Sequence, residues 1–148
     1  RVRSSAASDV YKRQHVGIAV RSRGVDSVLE ATSDGGVRVT ALGDFLARSA
    51  RIDGRPAVTV MRLRDTTGVA AAIERARKFI GQPYDYSFRP DNGKMYCSEL
   101  VEFAYRKAGI CLSEGRRTQI HVPAMGGTYL MPDDIAHNRK LKIIYSFP

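Results

Sequence analysis

The sequence predicts an α+β domain in which helices pack on one face of an antiparallel sheet. Three observations carry this. Short β-branched runs punctuated by turn residues fill the first part of the chain, two segments with apolar residues at helical spacing follow, and a β-branched segment returns at the C-terminus. The 148 residues, 43% of them hydrophobic, suit a single domain with a real core. With 26% charged residues, seven Tyr and five Phe, the composition excludes a disordered tail or a collagen-like repeat.

The elements follow in order. HVGIAV from His15, VDSVLEA at 25–31 after the Arg23-Gly24 turn, and VRVTAL at 37–42 after Asp34-Gly35-Gly36 read as three short antiparallel strands. In ALGDFLARSA, at 41–50, Leu42, Phe45 and Leu46 lie at helical spacing, and AVTVMRL at 57–63 is a fourth strand. Thr66 or Thr67 is placed to cap a helix running to about Ile80, with Val69, Ala72, Ile73, Ala76 and Ile80 on one face and Gly81-Gln82-Pro83 as its stop. The aromatic and turn-rich stretch from Tyr84 to Tyr96 is an ordered loop. It feeds a second helix from Cys97, whose stripe is Cys97, Leu100, Val101, Ala104, Tyr105 and Ala108, with Gly109 as its stop. Residues 113–132 show little periodicity, and LKIIYSF at 141–147 is the last strand. No apolar stretch approaches the 18 to 20 residues that a bilayer-spanning helix needs.

The formal charge is +9, a balance that draws phosphate, anionic lipid or acidic polymers without choosing among them. Part of it is set aside. Residues 4–14, SSAASDVYKRQ, resemble the in-frame translation of a transposase sequencing adaptor, so residues 1–14 are expected to be non-native and residues 15–148 to form the single domain. The first 14 residues hold four basic side chains and one acidic, which leaves +6 for the remainder. A natural chain cut just before His15 would have lost any signal or anchor. Its compartment is then not legible from this end, although a cell-envelope or periplasmic setting is compatible with it.

The two cysteines, Cys97 and Cys111, lie at opposite ends of the second helix. At 1.5 Å per residue that is on the order of 20 Å, well beyond disulfide range. His15, His121 and His137 are scattered and no Cys-x-x-Cys occurs, so no metal site and no cofactor are expected. Cys97 is the residue of chemical interest. A thiol at a helix N-terminus faces the positive end of the macrodipole, which lowers its pKa and supplies oxyanion donors. A small buried apolar role fits the same position. Such a nucleophile wants a His base and an acceptor behind it. A hairpin through Arg23-Gly24 brings His15 and Glu30 onto neighbouring strands, but loop length sets the register and numbering alone does not decide whether they share a face.

The motifs His15-Val16-Gly17-Ile18, Val28-Leu29-Glu30-Ala31, Gly81-Gln82-Pro83-Tyr84-Asp85 and Tyr96-Cys97-Ser98-Glu99-Leu100, in this order, resemble the permuted papain-like cysteine hydrolases of the YiiX/YebB type, in the NlpC-like superfamily. Pro132-Asp133-Asp134 before the last strand also fits. The resemblance implies a circularly permuted papain-like core, with Cys97 as nucleophile, His15 as base and then acid, and Glu30 as the acceptor that fixes the imidazole. His121 or a backbone carbonyl can stand in for Glu30, because the third member varies in this superfamily. Tyr96 and Tyr84 either line the substrate pocket or pack in the core, and Asp85 ties its own loop.

The implied reaction is cleavage of an amide or peptide bond through a thioester, with cell-wall peptides among the substrates of such relatives. The same centre serves a lipid esterase or acyltransferase. A long apolar groove would favour lipid and a short polar one peptide. A non-catalytic basic module, using Arg51/Arg55 and Arg116/Arg117, is the remaining alternative. No aromatic platforms are interleaved with those charges, so no nucleic acid is expected as a partner. Oligomeric state is not legible.

Overall fold

A computed structural model describes residues 14–89, 92–121 and 126–148. Apart from Gln14, the stretch read as adaptor lies outside these residues. Strands β1 (Ile18–Ser22), β2 (Val25–Thr32) and β3 (Gly36–Ala41) form an antiparallel sheet with β2 in the centre. Arg23 and Gly24 both take positive φ in the tight β1–β2 turn, which sets Ser22 opposite Val25 and Ile18 opposite Leu29. Gly36, at φ 65°, begins β3 beside the carbonyl of Gln82, where an added Cβ would come within 2.3 Å of that oxygen. The close approach lets Val37 exchange two backbone hydrogen bonds with the Gly81-Gln82 turn, both of 2.9 Å.

Helix α1 (Leu42–Arg48) follows β3 directly. A two-residue pair, β4 (Arg51–Ile52) and β5 (Arg55–Pro56), then turns on Asp53 and Gly54 with positive φ. This Asp-Gly hairpin signal is present in the sequence but was not read. The fourth predicted strand, β6 (Val58–Leu63), does not extend the first sheet. It pairs antiparallel with β9 (Leu141–Phe147) as a separate ribbon, with a register shift at Val60/Met61.

Helix α2 (Val69–Arg77) is shorter than the sequence suggested. The Thr67 hydroxyl and N–H bond to the Asp65 carboxylate at 2.6 and 3.0 Å, so Thr67 closes a turn and does not cap the helix. The far end continues only as turns. Helix α3 (Cys97–Arg106) packs with α2 and closes at Gly109, at φ 81°, where the Ile110 N–H returns to the Tyr105 carbonyl at 3.1 Å. Beyond it lie a short pair, β7 (Thr118–Ile120) and β8 (Gly127–Tyr129), and helix α4 (Pro132–Ala136). The aperiodic 113–132 stretch hid the two strands, and the helix begins at its end. Helix α4 has Pro at its first position and an Asp134 carboxylate that accepts the Met131 N–H at 2.8 Å.

The core joins the sheet to α3. Ile18, Val20, Leu29, Ala31 and Val37 from the strands meet Leu100, Val101 and Ala104 from the helix, closed by Leu63, Leu112, Leu130 and Ile135. Packing of this face holds the start of α3 against the end of the sheet where His15 enters β1. Among the described residues no helix is long and apolar enough to cross a membrane.

Candidate active site

Three elements converge at that end of the sheet. His15 lies three residues before the start of β1, Glu30 near the C-terminal end of β2, and Cys97 is the first residue of α3. Gly17 makes the approach possible. It sits beside β2 so closely that an added Cβ would lie 2.4 Å from Val28 Cγ1 and 3.1 Å from the Leu29 carbonyl. The His15 ring therefore reaches across, and its Nε2 lies 2.7 Å from Glu30 Oε1. The Cys97 thiol lies close enough to the same imidazole to act on its charge, and its sulfur sits 4.0 Å from the Gln14 carbonyl oxygen. The Val16 N–H also points at the sulfur, and the Ser98 hydroxyl lies 3.9 Å from Sγ. It is Glu30, not His121 or a carbonyl, that engages His15 Nε2.

The electrostatics follow from this geometry. Burial opposes charge on His15, but hydrogen bonds and charge from Cys97 and Glu30 outweigh it and raise the imidazole to about 9. Burial likewise opposes ionisation of Glu30, whose side chain is fully enclosed; hydrogen bonds from His15 and Thr40 and the charges of His15 and Arg48 hold it at about 2. The Cys97 thiol is buried and still lowered, because the His15 partnership exceeds the cost of desolvation. Lowering the thiol while raising the imidazole favours a thiolate–imidazolium pair beside the ionised Glu30, an arrangement suited to nucleophilic attack.

Two further residues complete the site and were not foreseen from the sequence. Both come from α1. The Phe45 ring packs on the His15 ring with centroids 5.9 Å apart, and Arg48 Nη2 binds Glu30 Oε2 at 2.5 Å. Their one-turn spacing places them on one side of the helix. Nothing local links that helix to Glu30, so the signal was present but had no address.

The two tyrosines separate. Tyr84 lines a cavity of about 990 Å³ that also takes in His15, Glu30 and Phe45, and burial together with the nearby Cys97 charge raises its phenol to about 12. The bridge between Tyr84 and Met95 sets it beside the start of α3. Tyr96 instead lies in the core, edge-on to Phe88 with centroids 5.0 Å apart. Asp85 ties its own loop, accepting the Ser87 N–H at 2.9 Å and hydroxyl at 2.6 Å. Both cysteines are free thiols. The arginines of the basic-module alternative are largely spent within the fold. Arg51 donates to the Gly54 carbonyl, Arg55 lies 3.9 Å over the Phe147 ring, and Arg116 donates to the Asp134 carbonyl.

A buried cysteine with a lowered thiol at a helix N-terminus, beside an imidazole engaged by a carboxylate, is compatible with a papain-like cysteine hydrolase centre. The family model described as permuted papain-like amidase enzyme, YaeF/YiiX, C92 family, matches residues 3–145, and the chain belongs to that family. Among solved structures it is similar to the crystal structure of metalloprotein yiiX from Escherichia coli O157:H7, with a TM-score of 0.74 and 20% identity over 99% of this chain and 93% of that one. The search of curated proteins gave no match.

Proposed function

We propose that this chain hydrolyses an amide or peptide bond through a thioester on Cys97. The observation that carries the reading is the juxtaposition of His15, held by Glu30 at 2.7 Å, with the Cys97 thiol that its presence lowers. The Cys97 thiolate attacks the substrate carbonyl carbon, and the developing oxyanion is met by backbone N–H groups at the start of α3, where the first turn leaves donors without helical partners. As the tetrahedral adduct collapses, the His15 imidazolium gives its proton to the leaving amine and the C–N bond breaks. The neutral imidazole then takes a proton from water, the hydroxide attacks the thioester, and the acid leaves with Cys97 restored as thiolate. Glu30 holds the imidazole and stabilises its charge throughout.

The crystallographic relative is described as a metalloprotein. Among the described residues here, no group of three or more His, Cys, Asp or Glu side chains is placed to hold a metal ion, and the cation beside Glu30 is Arg48.

A second reading, hydrolysis or transfer of a fatty acyl group, is favoured by the cavity. Away from His15 its wall is set by Val58, Val69, Val101, Leu112, Ile135 and Ile144. These residues give the cavity an apolar stretch that suits a hydrocarbon chain, beside polar side chains such as Arg51, Thr59 and Arg62 that line the same cavity. A panel of p-nitroanilides with short polar and long acyl donors separates the two readings. The wild type should release nitroaniline and show an acyl-thioester mass on Cys97, and Cys97→Ala should do neither while remaining folded. Turnover that survives Cys97→Ala would dismiss the proposal.

A further inference from the structure

Glu30 is held from two sides. His15 takes Oε1 at 2.7 Å and Arg48 takes Oε2 at 2.5 Å, so the carboxylate plane is fixed by two cationic donors on separate oxygens. The Glu30 side chain is fully enclosed, whereas that of Arg48 is 45% exposed and closes the carboxylate off from solvent. Counted along the contacts, thiolate, imidazolium, carboxylate and guanidinium alternate in sign and sum to zero. Without Arg48 the same group of buried charges would carry −1.

We infer that Arg48 is a positioning residue for the reaction, acting through Glu30 to hold the His15 imidazole toward Cys97 and to balance the charge of the thiolate–imidazolium pair. This rests on the thiolate–imidazolium reading above. The other groups facing the centre are few. Tyr84 approaches Cys97 from the loop, and the Ser98 hydroxyl lies beside the sulfur on α3. Arg38, opposite Glu30 in the sheet, is turned to Asp34 at 3.6 Å. Arg48 is thus the cation that serves the carboxylate from the side away from His15. Its contact is through one nitrogen, so a lysine can supply the charge without the planar fork. Removing the positive charge raises the pKa values of all three neighbours, and a neutral thiol gains over the thiolate.

The experiment is the rate of iodoacetamide alkylation at Cys97 as a function of pH, read by peptide mass spectrometry, in wild type, Arg48→Met and Arg48→Lys. The exposed Cys111 of the same molecule is the reference. The low-pH limb of Cys97 should move upward by about half a unit to one unit in Arg48→Met, a three- to tenfold loss of rate on that limb, because a partly exposed charge is screened but not abolished. Arg48→Lys should lie within about twofold of wild type and Cys111 should be unchanged. Where Arg48→Met loses its fold, Arg48→Gln keeps a donor to Oε2 without the charge and should show the same shift. Coincident wild-type and charge-free profiles would overturn the role of Arg48 alone. A wild-type Cys97 that reacts as an ordinary thiol would overturn the underlying reading, and the role with it.

Discussion

Replacing Glu30 with glutamine removes the carboxylate charge while keeping the side-chain shape, and the pH dependence of its cost can be worked from the site. Glu30 is held at about 2 against an ordinary 4.5, a difference of 2.5 units. At 1.36 kcal/mol per unit, its ionised form contributes about 3 kcal/mol to folding at neutral pH. The carboxylate is depressed, so this contribution is fully present above about pH 4.5 and is lost as the pH falls through 2. At pH 3 it has dropped to roughly 1.4 kcal/mol. The part owed to Arg48 is discounted, because that side chain is nearly half exposed. His15 adds the opposite limb. Its raised pKa stabilises the fold below 6.5, and this is lost as the pH rises through about 9. Urea unfolding of wild type and Glu30→Gln at pH 7, 5 and 3 gives the difference directly. It should be about 2 to 3 kcal/mol at pH 7 and 5 and about half that at pH 3. A difference that is flat from pH 7 to pH 3, or below about 1 kcal/mol throughout, would refute the buried ion pair.

Two other substitutions test how the fold holds the centre. Gly17→Ala places a methyl 2.4 Å from Val28 Cγ1, so β1 must move away from β2; we expect a loss of about 1 to 3 kcal/mol and a marked slowing of Cys97 alkylation near pH 6, and unchanged alkylation would show that the approach is not tight. Leu100→Ala empties a fully buried position between α3 and the sheet, and should cost about 2 to 5 kcal/mol in urea unfolding while leaving the pH profile of Cys97 in its place. A profile displaced as far as stability would mean that the thiol is tuned by the core and not by His15.

Much of the fold was legible because turn chemistry marks strand ends. Arg23-Gly24 makes the two-residue turn from which the β1–β2 register follows, and Gly109 stops α3 as its position suggested. Whether His15 and Glu30 share a face was left open by the sequence. It is settled by that register together with the missing Cβ of Gly17, which lets the ring lean over β2. The pairing of β6 with β9 joins residues some 80 positions apart, and strand composition says nothing about such partners. For this reason the sequence named a fourth strand without its partner. Arg48 escaped notice for the same reason, since an arginine ending a short helix reads as an ordinary solvated charge until the helix is seen to lie across Glu30. Tyr84 and Tyr96 were indistinguishable by composition. Only the bridge at Met95 turns Tyr84 toward the cavity, whereas the extended backbone at Tyr96, just before α3, leaves its ring in the core.

The central claim is that Cys97 and His15 form a reactive ion pair, and the most direct measurement compares alkylation of Cys97 from pH 4 to pH 10 in wild type and His15→Ala. The account predicts rapid reaction of wild-type Cys97 near pH 6, far ahead of Cys111, and its loss in His15→Ala, where Cys97 should react only as the pH nears that of a free thiol, about 8.5. A wild-type Cys97 that stays inert until the protein unfolds, or a His15→Ala profile identical to wild type, would contradict it.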